Sequence, residues 1–134
     1  MSLYKVYSDG AARGNPGPAG AGFAVFDDNG ALVYSKAIPL GKTTNNVAEY
    51  TALLEAAKYV KTLNPSRVDF LLDSELVVKQ LAGQYKVKAP HLQPLYNELS
   101  TLLASMDATC KHVPREQNKL ADKLANEGAD QVKA

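Results

Sequence analysis

Polar and apolar residues alternate along the first third of the chain, which is the pattern of half-buried β-strands. Residues 3–8, 21–26 and 32–40 each predict a strand. The Gly- and Pro-rich stretch 10–20 predicts a loop between the first two strands, and DDNG at 27–30 predicts a hairpin turn before the third. The sequence therefore predicts an antiparallel, three-stranded meander at the start of the chain.

Helical spacing of apolar residues replaces this alternation in the rest of the chain. The strongest helical pattern begins at Asn46, and Asn64-Pro65 ends it. Helices are predicted over 46–63, 74–81, 92–105 and 118–129, with short strands over 67–72 and 108–113. A meander followed by β-α-β units predicts an α/β fold with a mixed five-stranded sheet flanked by helices. With no internal repeat or linker, residues 1–134 are expected to form a single domain.

Two acidic residues are predicted to follow strands directly. Asp9 ends the first predicted strand and Asp73 ends the fourth. Ligands of such sheets collect at the carboxyl ends of parallel strands, where the strand order reverses. If these two strands are parallel neighbours, the two carboxylates lie side by side.

Helical spacing directs two further carboxylates toward the core. Glu49 continues the apolar stripe of the first predicted helix, and Asp122 is in line with Ala125 and Ala129 of the last. A carboxylate that faces a core is costly unless it is paired or bound to a metal. Four acids from four segments would form a hard-cation site of the kind that holds two Mg²⁺ or Mn²⁺ ions.

Each of these motifs also has a purely structural explanation. Asp9-Gly10 could form a turn, Asp73 or Ser74 could cap a helix, and Glu49 lies three residues after Asn46, as in a capping box. The glycines of stretch 10–20 fit a tight loop with positive φ or a close approach of the backbone to a nucleic acid. Taken singly, such motifs are more often structural than functional.

Composition narrows the partners and the location. The formal charge of +1 is uninformative by itself, but four acids in one site would leave ten elsewhere against 15 Lys and Arg, a surface suited to a polyanion. Cys110 lies in a short predicted strand and is expected to be a buried, reduced thiol. No stretch has the length and apolarity of a signal peptide or a membrane span. The expectation is a soluble cytoplasmic protein without membrane contact.

Four motifs together resemble a known family. YSDGAARGNPGPAG, TTNNVAEY, LLDSE and HVPREQNKLADKLAN, in this order and spacing, are similar to the type 1 ribonucleases H over essentially the whole chain. The resemblance implies the ribonuclease H fold, with sheet order 3-2-1-4-5. It also implies endonucleolytic cleavage of the RNA strand of RNA–DNA hybrids with Mg²⁺ or Mn²⁺. The catalytic and metal-binding carboxylates of the family fall on Asp9, Glu49, Asp73 and Asp122.

The resemblance also places the substrate contacts. They fall on Gly10, Ala11, Ala12, Arg13, Gly14, Asn15, Thr44, Asn45, Asn46 and Glu75. Amides and hydroxyls at these positions can read ribose 2′-hydroxyls and minor-groove edges without reading the base sequence. By the resemblance, Thr44 would hold a phosphate of the DNA strand. The expected partner is an RNA–DNA hybrid, double-stranded RNA is a second candidate, and a monomer is expected.

Three departures from the family pattern point to a subgroup. Glu75 stands where several bacterial members have Gln, and stretch 83–90 is too short for the basic protrusion of some members. The loop before Asp122 lacks the Gly- and His-bearing sequence of those members. This combination looks like the compact archaeal and bacterial subgroup, in which an arginine takes the auxiliary catalytic place, here Arg115. His112 is the competing residue for that place.

Two other functions are open at this point. A non-catalytic module that binds hybrid or RNA could keep the fold, but the expected sign of such decay is the loss of one acid. A transposase- or integrase-like nuclease would carry a DNA-targeting appendage, for which 134 residues leave no room.

Overall fold

The computed structural model describes residues 2–132, which form one five-stranded sheet with the order β3-β2-β1-β4-β5. The strands are β1 (Leu3–Ala12), β2 (Gly17–Phe26), β3 (Leu32–Thr43), β4 (Arg67–Leu72) and β5 (Ala108–His112). The helices are α1 (Asn45–Lys61), α2 (Glu75–Leu81), α3 (Gln93–Ala104) and α4 (Lys119–Asp130), with a 3₁₀ turn at Arg115–Gln117. Strands β1 to β3 pair antiparallel, whereas β1, β4 and β5 run parallel. The predicted fold class and strand order are confirmed.

Strands β1 and β2 are longer than the polarity pattern predicts, so the predicted loop over 10–20 is largely wrong. Their pairing continues through Asp9 opposite Gly22 as far as Ala12, and residues 13–16 alone connect the two strands. Asp9 therefore lies inside β1 and not at its end. Glycine and alanine carry almost no polarity signal, so a strand built from them has no alternation that reveals it.

Helices α1 and α4 pack on opposite faces of the sheet. A Cβ on Gly10 would meet the backbone of α1 at Ala48, whereas a Cβ on Gly22 would meet α4 at Ala121. Large apolar side chains fill the α1 face, and α3 covers α1 from outside. The fully buried ones include Val6, Phe23, Tyr50, Leu53, Val60, Phe70 and Leu72. The helix on each face thus carries one acidic residue of the predicted site, Glu49 or Asp122.

Small residues let α4 approach the sheet closely. A Cβ on Gly22 would lie 2.6 Å from the Leu124 Cβ and 2.7 Å from the Ala121 carbonyl oxygen. On the helix side, Ala121, Ala125 and Ala129 are almost completely buried. Any larger side chain at this interface would push α4 away from β2.

The helix caps decide between the structural and functional explanations of two acids. The Thr44 hydroxyl accepts a hydrogen bond from the Val47 N–H (3.2 Å) and caps α1, so the capping-box explanation of Glu49 is wrong. Ser74 caps α2 in the same way, which leaves Asp73 outside the cap. Neither carboxylate is needed to satisfy the backbone of a helix.

None of the helices within residues 2–132 combines the length and the apolarity needed to cross a membrane.

Candidate active site

The carboxylates of Asp9, Glu49 and Asp73 converge at one edge of the sheet. Asp9 lies within β1, Glu49 on α1, and Asp73 directly after β4. Because β1 and β4 run parallel with Ser8 opposite Leu72, the residues that follow this pair are neighbours across the sheet. One oxygen atom from each of the three carboxylates lies within 4.8 Å of the other two. The fold thus brings together three acids that are distant in sequence.

Asp122 lies at the margin of this cluster and does not join the group of three. Its side chain contacts that of Asp9. Burial and the charges of Glu49 and Asp73 raise the pKa of Asp9, and the contact with Asp122 adds a smaller rise. The Asn126 side chain donates hydrogen bonds to the Asp122 carbonyl (3.0 Å) and to its Oδ1 (3.4 Å). Asp9 is therefore the one acid of the four that neighbours all the others.

Close packing of like charges changes the protonation of the cluster. Burial, followed by the charge of neighbouring Glu49, raises the pKa of Asp9 from 3.8 to about 10. Burial also raises the pKa of Glu49 to about 7, although a hydrogen bond from Asp9 opposes that shift. The raised pKa of Asp9 favours its protonated form at neutral pH, in which it can donate to Glu49.

The hydrogen bonding of the cluster leaves room for a cation. The Gly10 N–H donates to Asp9 Oδ1 (3.0 Å) and to Glu49 Oε1 (3.3 Å). Glu49 Oε2 is buried and finds no hydrogen-bond partner within residues 2–132. An unpartnered buried carboxylate oxygen is costly, and carboxylate oxygens are the ligands of Mg²⁺ and similar hard cations. The residues present therefore fit a divalent cation.

Arg115 and His112 act on different carboxylates near the cluster. Burial raises the pKa of Glu49, and the positive charge of exposed Arg115 acts against that rise, so Arg115 faces the cluster. A hydrogen bond from Lys79 holds the pKa of Glu75 below its ordinary value, and His112 acts in the same direction. The charge of His112 thus acts on the exposed Glu75, and that of Arg115 acts on Glu49 within the cluster.

Two of the predicted substrate-contact segments are tied together by asparagines. Asn45 Oδ1 accepts a hydrogen bond from the Ala12 N–H (3.0 Å), and Asn15 Oδ1 accepts one from the Asn45 N–H (3.1 Å). Because both donors are backbone amides, each side-chain oxygen is turned inward and each Nδ2 group is left for another acceptor. In Thr44 the hydroxyl oxygen accepts from the backbone, so its proton is likewise available to a ligand.

Other predicted substrate-contact residues are already engaged inside the protein. The Arg13 guanidinium pairs with Asp130 and donates to Asn126 at the end of α4. The Glu75 carboxylate pairs with Lys79 (2.6 Å). Ala11 and Ala12 are partly exposed in β1, Gly14 is exposed with φ +98°, and Asn46 is exposed on the first turn of α1.

Sequence reasoning missed two asparagines that support Asp122. Asn118 is 1% exposed, and its Nδ2 donates to the Ser8 carbonyl oxygen (2.9 Å). Asn126, one helical turn after Asp122, donates to the Asp122 carboxylate. The signal was available, because Asn118, Asp122 and Asn126 are spaced four residues apart and so lie on one face of a helix.

The acidic cluster does not line the main cavity of the described residues. A cavity of about 760 Å³ lies elsewhere, at the start of β1, with Leu3, Lys5 and Tyr7 in its wall and none of the four acids.

Comparison with known proteins agrees with this geometry. Residues 7–128 match a family described as reverse transcriptase-like. A bifunctional protein of Mycobacterium tuberculosis is 39% identical over 127 residues, which are 93% of this chain and 35% of that protein. Ribonuclease HI of Halobacterium salinarum is 39% identical over 93% of this chain and 63% of its own length. Ribonuclease H of Hyphomonas neptunium is 33% identical over 98% of this chain and 95% of its own length. The chain thus spans about a third of the length of the first relative and less than two thirds of the second.

Solved structures match over nearly the whole chain. The crystal structure of RNase H1 from Halobacterium salinarum superposes with a TM-score of 0.91 at 37% identity, over 97% of this chain and 99% of that one. LC11-RNase H1, solved in complex with an RNA/DNA hybrid, gives a TM-score of 0.90 at 38% identity, over 96% and 97% of the two chains. The chain is a member of the ribonuclease H family, with the type 1 enzymes as its relatives.

Proposed function

We propose that the chain is an endoribonuclease that hydrolyses the RNA strand of RNA–DNA hybrids. The observation that carries this proposal is the convergence of Asp9, Glu49 and Asp73 within 4.8 Å, with Asp122 beside Asp9. The relatives named ribonuclease H and the hybrid-bound LC11-RNase H1 support the same substrate.

The four carboxylates would hold two divalent ions, Mg²⁺ or Mn²⁺. Asp9 would be central to this set, because it neighbours Glu49, Asp73 and Asp122. Asp9 must give up its proton to serve in this way, so binding competes with protonation and strengthens as the pH rises. The buried, unpartnered Glu49 Oε2 would gain a partner when a cation is bound.

The reaction needs no nucleophilic side chain. When bound, the ions supply an activated water and stabilise the leaving 3′ oxygen, which gives 5′-phosphate and 3′-hydroxyl ends. The carboxylates orient this chemistry, and the Gly10 N–H keeps the Asp9 and Glu49 oxygens turned toward each other. Arg115 supplies positive charge at the edge of the cluster, where a phosphate oxygen would lie.

The segments around Asn15 and Thr44 would choose the strand that is cut. The Nδ2 groups of Asn15 and Asn45 can donate to ribose hydroxyls or phosphate oxygens, and the Thr44 hydroxyl can donate to a DNA phosphate. Gly10 to Gly14 and Asn46 would border the hybrid, and Glu75, neutralised by Lys79, would lie near the RNA. The substrate is thus read by shape and by the 2′-hydroxyl.

The proposal also covers the domain organisation, the oligomeric state and the cellular location. We expect one domain over residues 1–134 that acts as a monomer in the cytoplasm, with RNA–DNA hybrid as its substrate and double-stranded RNA as a second candidate. Burial raises the pKa of the Cys110 thiol to about 12, so it stays protonated and unreactive, as suits a reducing compartment.

A substrate panel tests the proposal. Hybrid, double-stranded RNA and double-stranded DNA are incubated with the protein in Mg²⁺ or Mn²⁺, beside Asp73→Asn as the matched inactive control. The expected result is metal-dependent cleavage of the hybrid RNA strand, lost in Asp73→Asn. Tight hybrid binding without cleavage by either protein would instead support a non-catalytic binding module.

A further inference from the structure

Helix α4 packs on the sheet through a surface of small residues. Small residues line much of it: Ala121, Ala125, Gly128 and Ala129 on the helix, and Gly20 and Gly22 on the strand. Apolar contact fixes the distance between such surfaces, but it is non-directional and resists sliding weakly. The position of Asp122 relative to Asp9 therefore depends on directional bonds that hold α4 along its axis.

Directional bonds from the sheet reach the two ends of α4. Near its end, Arg13 pairs with Asp130, but the two side chains are 46% and 64% exposed, and exposed pairs contribute little. At its start, buried Asn118 donates to the Ser8 carbonyl oxygen (2.9 Å), directly before Asp9. Within residues 2–132, this is the buried side-chain hydrogen bond that joins α4 to the sheet.

The same residue also leads directly to Asp122. The Asn118 carbonyl oxygen accepts the Asp122 N–H (3.0 Å), the first backbone bond of α4. Asn118 thus connects the residue before Asp9 to Asp122 through two hydrogen bonds. Its Oδ1 is buried and has no partner within the described chain, which makes the amide costly for stability alone.

We propose that Asn118 is a positioning residue that fixes the axial register of α4 and so places the Asp122 carboxylate against Asp9. The inference rests on the proposed function, because it assigns Asn118 a role in assembling the cation site. Asn118 makes no side-chain cap bond to α4, so its amide serves the joint with β1 and not the helix itself. Its contribution therefore passes through Asp122.

Activity measurements form the first test. Asn118→Ala removes the side-chain amide. Asn118→Ser has a side chain too short to bond the Ser8 carbonyl oxygen, but serine is favoured at helix starts, so α4 is retained. Gln80→Ala is the matched control, because Gln80 is a buried amide (6% exposed) that bonds Tyr50 and lies outside the site. Both Asn118 variants should lose about ten- to a hundred-fold in kcat with KM within about twofold, as expected for a misplaced ligand. Gln80→Ala should keep the kcat of the wild type. Equal kcat values in all three variants would overturn the proposal.

A metal-binding cycle forms the second test, and it does not depend on cleavage. The rise in Tm with Mn²⁺ concentration is measured for the wild type, Asn118→Ala, Asp122→Asn and the double variant. In the wild-type background, Asn118→Ala should raise the Mn²⁺ concentration that gives half of the Tm rise by about fivefold or more. In the Asp122→Asn background it should raise that concentration by less than twofold, because the two residues act as one unit. An equal factor in both backgrounds would show that Asn118 does not act through Asp122. If the wild type cleaves no hybrid, the proposed function fails, whereas this cycle still decides the role of Asn118.

Discussion

Replacing Gly10 by alanine should damage the cation site through the backbone of α1. Gly10 lies next to Asp9 in β1, and its missing side chain leaves the space into which α1 packs. An added Cβ would lie 2.7 Å from the Ala48 carbonyl oxygen, and closer still to the Ala48 carbonyl carbon and the Glu49 nitrogen. These are backbone atoms of a buried helix, so no side chain can rotate to relieve the overlap.

The size of the effect follows from this overlap. Non-bonded heavy atoms pack at about 3.5 Å, and the nearest backbone atom, the Ala48 carbonyl carbon, would lie at 2.3 Å, so α1 must move by about 1.2 Å there. Overpacking of this kind costs about 1–3 kcal/mol of folding stability. Glu49 is carried on the displaced turn, and a ligand misplaced by about 1 Å can lower the rate by about a hundredfold. Gly10→Ala should therefore lose much more activity than stability.

Gly30→Ala provides the matched control. Gly30 has φ +81° in the β2–β3 hairpin, and an added Cβ meets nothing within 4 Å, so the variant bears backbone strain of about 1–2 kcal/mol without a clash. Both variants are compared by thermal unfolding, by the Mn²⁺-induced rise in Tm and by hybrid cleavage. Gly30→Ala should lose stability alone. Wild-type kcat and Mn²⁺ response in folded Gly10→Ala would refute the argument that this glycine sets the position of Glu49.

Three further predictions address charge in and around the site. The pKa values of Asp9 and Glu49 are raised in the folded state, so between about pH 4 and about pH 10 the metal-free folded protein binds more protons than the unfolded chain. Its stability should therefore fall as the pH rises through this range. Asp9→Asn should flatten that fall in EDTA thermal melts, raise stability at pH 8 by about 1–3 kcal/mol and abolish cleavage; an unchanged pH profile would contradict the raised pKa. Arg115→Ala should lower kcat by roughly ten- to a thousand-fold, with partial recovery in Arg115→Lys, and a crippled His112→Ala beside a normal Arg115→Ala would reassign the auxiliary role. Because stretch 83–90 has few basic residues, hybrid affinity should depend weakly on salt, and a log–log slope of about −6 or steeper would argue against it.

The order of the elements and the identity of the acids follow from local patterns in the sequence. Apolar spacing identified α1 to within about two residues at each end, because seventeen residues of regular helix give a strong periodic signal. The DDNG turn correctly separated β2 from β3. Four acid-bearing motifs in order were enough to name the family, since each motif is local and needs no knowledge of its neighbours in space.

The tertiary structure alone decided how these local pieces meet. Strand pairing runs through the glycines of stretch 10–20, where polarity carries no information because the side chains are missing. Those missing side chains admit α1 and α4, and only then do Glu49 and Asp122 reach Asp9. Asn118 likewise reads as an ordinary helix start in sequence, and its bond to Ser8 spans 110 residues. Periodicity reports which way a side chain faces within one element, whereas the distance between two elements is set by packing that no single segment encodes.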